Sequence, residues 1–346
     1  WGTNAITIDS NGLLFQGETD AFIVDYDTNG QAINLVYSGA TVGWTPASDI
    51  VSALEPVAPS TQKAIFGYGA AASKVSLTNL VSSSGVVAAD TTGVGTARGD
   101  LAAAGYGSDK AIFGYGRTGS SLSLTNLVNN SGVVAADVSG VGTARYYLAA
   151  AGYGGDKAIF GYGTTGSYSS LTNLVSSSGV VATDTTGVGT ARGYVAGVSY
   201  GGDKALFAYG YTGSNVSMSN LISNLGVVSA DVTGVGTARG YLAAASYDTD
   251  KAIFGYGYNG SANLSMSNLV SNNGIVASDV SGVGTARRQL GAAGYGGDKA
   301  IFAYGKAGAF TSIKNLVNSS GVIAADVTGV GTAREAIAAA GYSISA

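Results

Sequence analysis

The residues with the most obvious chemistry in this sequence recur six times at one spacing. In each place an aspartate lies eight residues before an arginine. The pairs are Asp90 with Arg98, Asp137 with Arg145, Asp184 with Arg192, Asp231 with Arg239, Asp279 with Arg287, and Asp326 with Arg334. Such groups can bind a charged ligand, or they can hold a fold together through ion pairs and hydrogen bonds. Because all six copies keep them, we expect a structural role that every copy needs.

The two residues after each arginine differ from copy to copy. They are Gly99 with Asp100, Tyr146 with Tyr147, Gly193 with Tyr194, Gly240 with Tyr241, Arg288 with Gln289, and Glu335 with Ala336. Tyrosine offers an apolar face for a sugar ring, and Asp, Arg and Gln can hydrogen-bond to hydroxyl groups. The candidate ligand-binding residues are therefore Asp100, Tyr146, Tyr147, Tyr194, Tyr241, Arg288 and Gln289. Sequence drift without function explains the same variation. A second variable place follows the KAIFGYG motif, for example at 117–120 and 306–310.

One segment resembles the start of a calcium-binding loop. Asp25, Asp27 and Asn29 alternate ahead of Gly30, but Val36 occupies the twelfth position, where such a loop needs a glutamate. An Asn-Gly pair between two apolar segments is also a strong hairpin signal. We therefore expect a hairpin here, and we predict no metal and no cofactor.

The composition leaves little room for catalysis. The 346 residues include no His and no Cys, so acid–base chemistry would fall to carboxylates, Lys or Tyr. A glycosidase needs two carboxyl groups across a cleft, and the only non-repeated candidates near the variable residues are Asp100 and Glu335. No further pairing of acids stands out, and we expect a protein that is not an enzyme.

A recurring motif indicates which elements position these residues. KAIFGYG, or a close variant, begins at six lysines spaced by 47 residues four times and by 48 residues once. They are Lys63, Lys110, Lys157, Lys204, Lys251 and Lys299. A period of this length indicates repeated supersecondary units that stack on one another.

Each copy contains four short apolar segments, which in the second copy are KAIFGYG, SLSLTNLV, GVVAADV and ARYYLAAAGY. Turn-forming Gly, Asn, Ser and Asp separate them, and none has helical periodicity. Four antiparallel strands per copy are typical of a propeller blade. We predict an all-β fold in which residues 63–346 form a six-bladed β-propeller, with the Ala-rich segment innermost. The segment at 333–342 would then complete the blade that begins at Lys63 and close the propeller.

The first 62 residues differ from the repeats in composition. They hold both tryptophans, all three prolines and seven acidic residues without a single Lys or Arg. We predict a small β-rich docking module at 1–50, with strands in segments 13–17, 21–26 and 32–39, and a Pro-containing linker at 51–62. Because the sequence starts at Trp1 and not at Met, we expect a processed product or a partial sequence.

The repeat has two resemblances. Arg145 ahead of LAAAGYGG and AIFGYG is similar to the kelch class of propellers, although a Gly-Gly doublet at the end of the second of these strands and the usual outer Trp are missing. The pattern KAIFGYG…LTNLVSSSGVVAADTTGVGTARG…LAAAGYG resembles a repeat of virion and appendage proteins of marine tailed bacteriophages. This resemblance implies a phage structural protein, such as a tail fibre or decoration protein, that displays its propeller outward.

The expected partners follow from these readings. Residues 1–62 would dock on other virion subunits, and the protein would be a homo-oligomer or be present in many copies, with a host-surface glycan as a ligand of the propeller. The alternative is a lectin-like propeller, secreted or on a cell surface, that binds glycans. Residues 63–346 carry 17 bases against 14 acids, too dilute a positive charge for nucleic acid. No apolar segment is long enough for a membrane helix, so we expect no membrane span.

Overall fold

The computed structural model describes residues 6–8, 13–14, 24–26, 34–46 and 62–343. The chain divides into two units between Pro59 and Ser60. Regular structure in the described residues is entirely β-strand, and none of them belongs to a helix able to cross a membrane. Of the predicted linker at 51–62, only Gln62 lies inside the described residues.

The first unit contains two short antiparallel strand pairs. Strand β1 (Ile6–Ile8) pairs with β2 (Val24–Tyr26), and β3 (Leu35–Tyr37) pairs with β4 (Trp44–Pro46). The hairpin predicted at Asn29–Gly30 would instead join the segments that contain β2 and β3. In the described residues β3 turns back locally through 38–43, where the Ser38 N–H donates to the Gly43 carbonyl at 2.8 Å. Residues 27–33, including Asp27 and Asn29, lie outside the described residues.

The second unit contains six three-stranded antiparallel sheets within residues 62–343. Their central strands are β5 (Lys63–Gly67), β8 (Lys110–Gly114), β11 (Lys157–Gly161), β14 (Lys204–Tyr211), β17 (Lys251–Gly255) and β20 (Lys299–Ala303). The Ala-rich strands on one side are β7 (Ala102–Tyr106), β10 (Ala149–Tyr153), β13 (Ala196–Tyr200), β16 (Ala243–Tyr247), β19 (Gly291–Tyr295) and β22 (Ala338–Tyr342). The strands on the other side are β6 (Thr78–Val81), β9 (Thr125–Val128), β12 (Thr172–Val175), β15 (Asn215–Ile222), β18 (Ser267–Val270) and β21 (Lys314–Val317).

The last strand of the chain completes the first sheet, as the sequence predicts. Strand β22 pairs antiparallel with β5, with Ala340 opposite Ile65, and gives the strand order β22-β5-β6. Each Ala-rich strand contacts the Ala-rich strand of the next sheet, and β22 contacts β7 in turn. Each of the six Ala-rich strands therefore has two Ala-rich neighbours.

The central strands are buried on both faces. Ala64, Ile65 and Phe66 are fully buried, and the equivalent residues of the other five copies are buried to the same extent. Tyr68 meets Phe113 of the next sheet edge-on, with ring centroids 5.1 Å apart. Equivalent Tyr–Phe pairs join the other neighbouring sheets. The repeated Tyr and Phe residues thus pack each sheet against the next.

The predicted fourth strand of each copy forms only isolated bridges. In the first copy Val87 bridges Val81 and Thr91 bridges Thr78, so three residues on the outer segment oppose two on β6. The side chain of Asn79 fills the gap and donates to the Ala88 carbonyl at 3.0 Å. The extra residue makes a local bulge, and the segment does not continue as a regular strand. The sheets therefore have three strands where the sequence predicts four.

Candidate ligand-binding face

The six repeated arginines are fully buried and cross-link the strands of each sheet. Arg98 donates from Nε to the Tyr115 carbonyl at 2.8 Å and from a terminal nitrogen to the Asn126 Oδ1 at 2.7 Å. Its other terminal nitrogen donates to the Thr96 carbonyl at 3.1 Å. The other five arginines make the same three bonds. The planar guanidinium suits this site because it supplies several donors in fixed directions.

The aspartate at each of these junctions belongs to the next sequence copy. Asp137, and not Asp90, accepts from the backbone N–H and the hydroxyl of Thr96, two residues before Arg98. The same arrangement joins Thr143 to Asp184, Thr190 to Asp231, Thr237 to Asp279, Thr285 to Asp326 and Thr332 to Asp90. Each sheet combines residues from two consecutive sequence copies, so aspartate and arginine meet across the copy boundary.

Each buried arginine also contacts the neighbouring sheet. The Arg98 guanidinium lies 4.3 Å from the ring centroid of Tyr68, which belongs to the sheet closed by β22. Burial lowers the pKa of Arg98 and raises the pKa of Tyr68 to about 12. The arginine–tyrosine contact therefore links one sheet to the next at all six junctions.

These aspartates make the stability of the folded protein depend on pH. Partial burial would raise the pKa of Asp184, but hydrogen bonds from Thr143 and Asn173, with the charge of Arg145, lower it below 3.8. The other five aspartates are lowered for matching reasons. A carboxylate with a lowered folded-state pKa stabilises the protein above its unfolded pKa, and this stabilisation is lost as pH falls through the folded value.

We therefore expect a melting temperature that is constant above about pH 5 and falls steeply below about pH 4. Asp184→Asn should lower the melting temperature at neutral pH. As the pH is lowered, the melting temperature of this variant should fall less than that of the unchanged protein. The control Asp156→Asn removes an exposed partner of Lys157 and should leave the profile unchanged. A melting temperature that stays constant down to about pH 2 would contradict this account.

Six variable residues meet where the Ala-rich strands begin, and we call them the mouth residues. They are Asp100, Tyr147, Tyr194, Tyr241, Gln289 and Ala336, and all have left-handed backbone with φ between 53° and 59°. The Tyr147 N–H donates to the Asp100 carbonyl at 2.9 Å, and the Tyr194 N–H donates to the Tyr147 carbonyl at 2.8 Å. The N–H groups of Asp100, Gln289 and Ala336 bond to the preceding mouth residue in the same way. The unusual backbone conformation is thus stabilised by bonds from copy to copy.

Two cavities lie along the Ala-rich strands. The mouth residues and the six buried aliphatic residues that follow them line a cavity of about 80 Å³. A cavity of about 240 Å³ is lined mostly by Ala, Gly and Ser residues farther along all six strands, together with Tyr106, Lys110, Tyr153 and Lys157. The small side chains come from the Ala-rich strands. The space at the mouth is smaller and carries the variable side chains.

Variable residues from three successive sheets form an aromatic half of this face. The Tyr147 and Tyr194 ring centroids are 4.0 Å apart, and Tyr241 lies 4.0 Å from Tyr194. Tyr168 and Tyr211 lie beside them, with ring centroids 6.0 Å apart. Burial raises the pKa of the Tyr147, Tyr168 and Tyr241 hydroxyls, so these three remain neutral donors at ordinary pH. The half comprises Tyr146, Tyr147, Tyr168, Tyr194, Tyr211, Tyr241 and Tyr258.

The remaining sheets supply a charged half. Asp100 accepts from Arg117 Nε at 2.8 Å and from Gln289 Nε2 at 3.3 Å, and the Lys74 ammonium lies 3.7 Å away. Arg117 also lies over the Tyr146 ring at 4.3 Å, which joins the two halves. The half comprises Lys74, Asp100, Arg117, Arg288, Gln289, Lys306 and Glu335. We call the two halves together the varied face.

Sequence reasoning found only part of this face. Backbone bridges bring the first residue after each buried arginine opposite the residue after each GYG motif, as in Gly99 with Arg117 and Arg288 with Lys306. The sequence identified Arg117 and Lys306 only as examples in a variable loop, and it did not single out Lys74, Tyr168, Tyr211 or Tyr258. The available signal was that these positions also differ among the six copies.

No group of acidic residues in the described part of the chain has the arrangement of a metal site. The structure does not describe the side chain of Asp25 or any part of Asp27 and Asn29. The predicted hairpin, and the calcium-loop resemblance weighed against it, therefore lie outside the described residues. Comparison with known proteins adds no assignment: no protein-family model matches the chain, and no curated protein is similar to it.

Proposed function

We propose that the six sheets are the blades of a kelch-like six-bladed β-propeller and that the protein is a non-enzymatic recognition module of a phage virion appendage. The virion assignment rests on the resemblance of the repeat to a repeat of phage virion and appendage proteins. The recognition role rests on one observation: the six copies agree at their buried junctions, and two segments in which they differ lie side by side on the varied face. A scaffold that is fixed while one face differs from sheet to sheet suits binding of an asymmetric ligand.

The chemistry of the varied face favours a glycan. Tyrosine rings can stack on the apolar face of a sugar, and charged or amide groups beside them can bind its hydroxyls. Asp100 supports binding over catalysis because both of its oxygens are occupied by Arg117, Lys74 and Gln289. A glycosidase needs two carboxyl groups free to reach one bond.

The outer edge of the sheets supports a place in a larger assembly. The second residue of each GVV, GIV or GVI segment is an aliphatic side chain between 61% and 67% exposed. These residues are Val86, Val133, Val180, Val227, Ile275 and Val322. Apolar groups at equivalent exposed positions are available for contact with other subunits. Residues 1–62 remain the proposed attachment to the virion.

We expect the varied face to bind glycans through its tyrosines. Tyr146→Gly with Tyr147→Ala removes two rings without new backbone strain, because Gly99 and Ala336 stand at the equivalent positions of other copies. On a glycan array, affinity for the best ligand should fall about ten-fold or more, the loss of about 1.4 kcal/mol. The control Lys204→Ala, at an exposed residue outside the varied face, should bind like the unchanged protein. Binding that survives the double substitution would contradict recognition through these two tyrosines.

The virion placement needs a separate experiment. Antibodies against residues 63–346 should label an appendage on intact phage particles from the source of this sequence. Labelling of cell surfaces or of secreted protein, with particles unlabelled, would instead support the alternative of a lectin-like propeller outside a virion.

A further inference from the structure

Two cations on the varied face stand directly opposite each other. Arg288 and Lys306 form an antiparallel bridge in which each N–H donates to the other's carbonyl, at 3.1 and 2.9 Å. Residues opposed in this way project their side chains to the same side of the sheet. Like charges directly opposite each other are destabilising, so an anion placed between them would stabilise the pair.

Neither cation has a carboxylate within 4.0 Å in the described part of the chain. The Arg288 guanidinium lies over the Tyr258 ring at 4.7 Å, and the Lys306 ammonium lies 5.3 Å from the Phe310 ring centroid. The other cations of the varied face, Lys74 and Arg117, are both paired with Asp100. Arg288 and Lys306 therefore remain available for an external anion.

Two hydrogen-bond acceptors that lack donors within the described residues lie near Arg288 and Lys306. Asn263 donates from Nδ2 to the Lys306 carbonyl at 3.1 Å, while its Oδ1 is buried without a hydrogen-bond partner within the described chain. Oε2 of Glu335 is buried and unpartnered in the same way, and its carboxylate feels the charges of Lys306 and Arg288 at longer range. Neither oxygen is exposed to solvent, whereas Arg288 and Lys306 are both partly exposed and can be reached by a ligand.

We propose that Arg288 and Lys306 bind the acidic group of a charged saccharide whose ring packs beside Tyr258. The anion satisfies the two cations, and the tyrosine covers the apolar face of the sugar. This inference rests on the proposed glycan-binding function and specifies its ligand class. A carboxylate and a sulfate can both supply the negative charge, and the experiment distinguishes them.

The test uses the full chain and three probes of matched length: a uronate oligosaccharide, a sulfated oligosaccharide and a neutral oligosaccharide. Arg288→Gly with Lys306→Ala copies residues found at the equivalent positions of other repeats, Gly240 and Ala70. Calorimetric titration should show affinity for one acidic probe reduced at least 30-fold, with the neutral probe little changed. Whichever acidic probe binds the unchanged protein more tightly identifies carboxylate or sulfate.

Two controls separate this site from general charge effects. Lys157→Ala with Lys204→Ala also removes two positive charges, but from exposed lysines paired with Asp156 and Asp203, and should preserve binding. The Arg288 and Lys306 variant should melt no lower than the unchanged protein, since it removes a repulsive pair.

The outcomes also distinguish the inference from the proposed function. Saccharide binding that depends on the tyrosines but is unaffected by Arg288→Gly with Lys306→Ala would overturn the inference and leave the function standing. The inference would also be overturned if the Arg288 and Lys306 variant lost equal affinity for acidic and neutral probes. An equal loss of affinity in the Lys157 and Lys204 variant would overturn it too. Binding of no saccharide of any kind would overturn glycan recognition itself.

Discussion

Removal of residues 333–346 should abolish cooperative unfolding of the second unit and cause aggregation. The deletion removes β22, which pairs with β5 through Ala338–Tyr342, and it removes Arg334, which bonds to the Tyr68 carbonyl and to Asn79. An unpaired strand edge next to exposed apolar surface is a site for association between chains. Size-exclusion chromatography and thermal denaturation would measure the effect.

A single substitution tests the same pairing without shortening the chain. Ala340 is 5% exposed and packs with Tyr68 and Phe113, so Ala340→Asp buries a charge without a partner and should cost about 3 kcal/mol or more. The control Gly341→Ser introduces the residue found at Ser199 and Ser246 in equivalent strands and should be tolerated. A deletion variant that melts like the intact protein would show that β22 does not close the structure.

Replacement of one buried arginine should have the next largest effect. Arg145→Met keeps much of the side-chain volume but leaves three acceptors, the carbonyls of Tyr162 and Thr143 and the Oδ1 of Asn173, without donors. At about 1 kcal/mol for each lost bond, the free energy of unfolding should fall by about 3 kcal/mol. Urea denaturation measures this change.

The repeat provides a matched comparison for this prediction. Arg239 makes the same three bonds as Arg145, at distances equal within 0.1 Å. Arg239→Met should therefore have the same cost to within about 0.5 kcal/mol, whereas Lys157→Met on the surface should cost less than about 0.5 kcal/mol. A large loss in only one of the two arginine variants would mean that the junctions are not equivalent.

The sequence predicts the repeated part of the fold well because each copy constrains the others. Five nearly equal spacings between the six lysines define the central strands, and the frame of the repeat requires a C-terminal strand to complete the first sheet. Burial of both faces follows from the apolar KAIF segment. The structure has the pairing of β22 with β5 and the buried central strands that these patterns predict.

Features that depend on contacts between residues far apart in the sequence are harder to predict. A spacing of eight residues pairs Asp90 with Arg98 in the sequence, but the fold places Asp137 beside Arg98, because each sheet spans two copies. The GVVAADV segment is short and apolar like a strand, but the Asn79 side chain replaces part of its backbone pairing. On the varied face, Lys74 and Tyr168 come from the interior of variable loops, where one sequence carries no periodicity to guide assignment.

The pairing of β22 with β5 also sets when the protein can finish folding during its synthesis. Ala338 is made roughly 275 residues after Lys63, which at ribosomal rates takes about 14 to 55 s. Throughout that interval the nascent chain carries one edge of β5 without its partner. A cell that makes this protein must therefore protect that edge from other newly made copies until translation has passed residue 342.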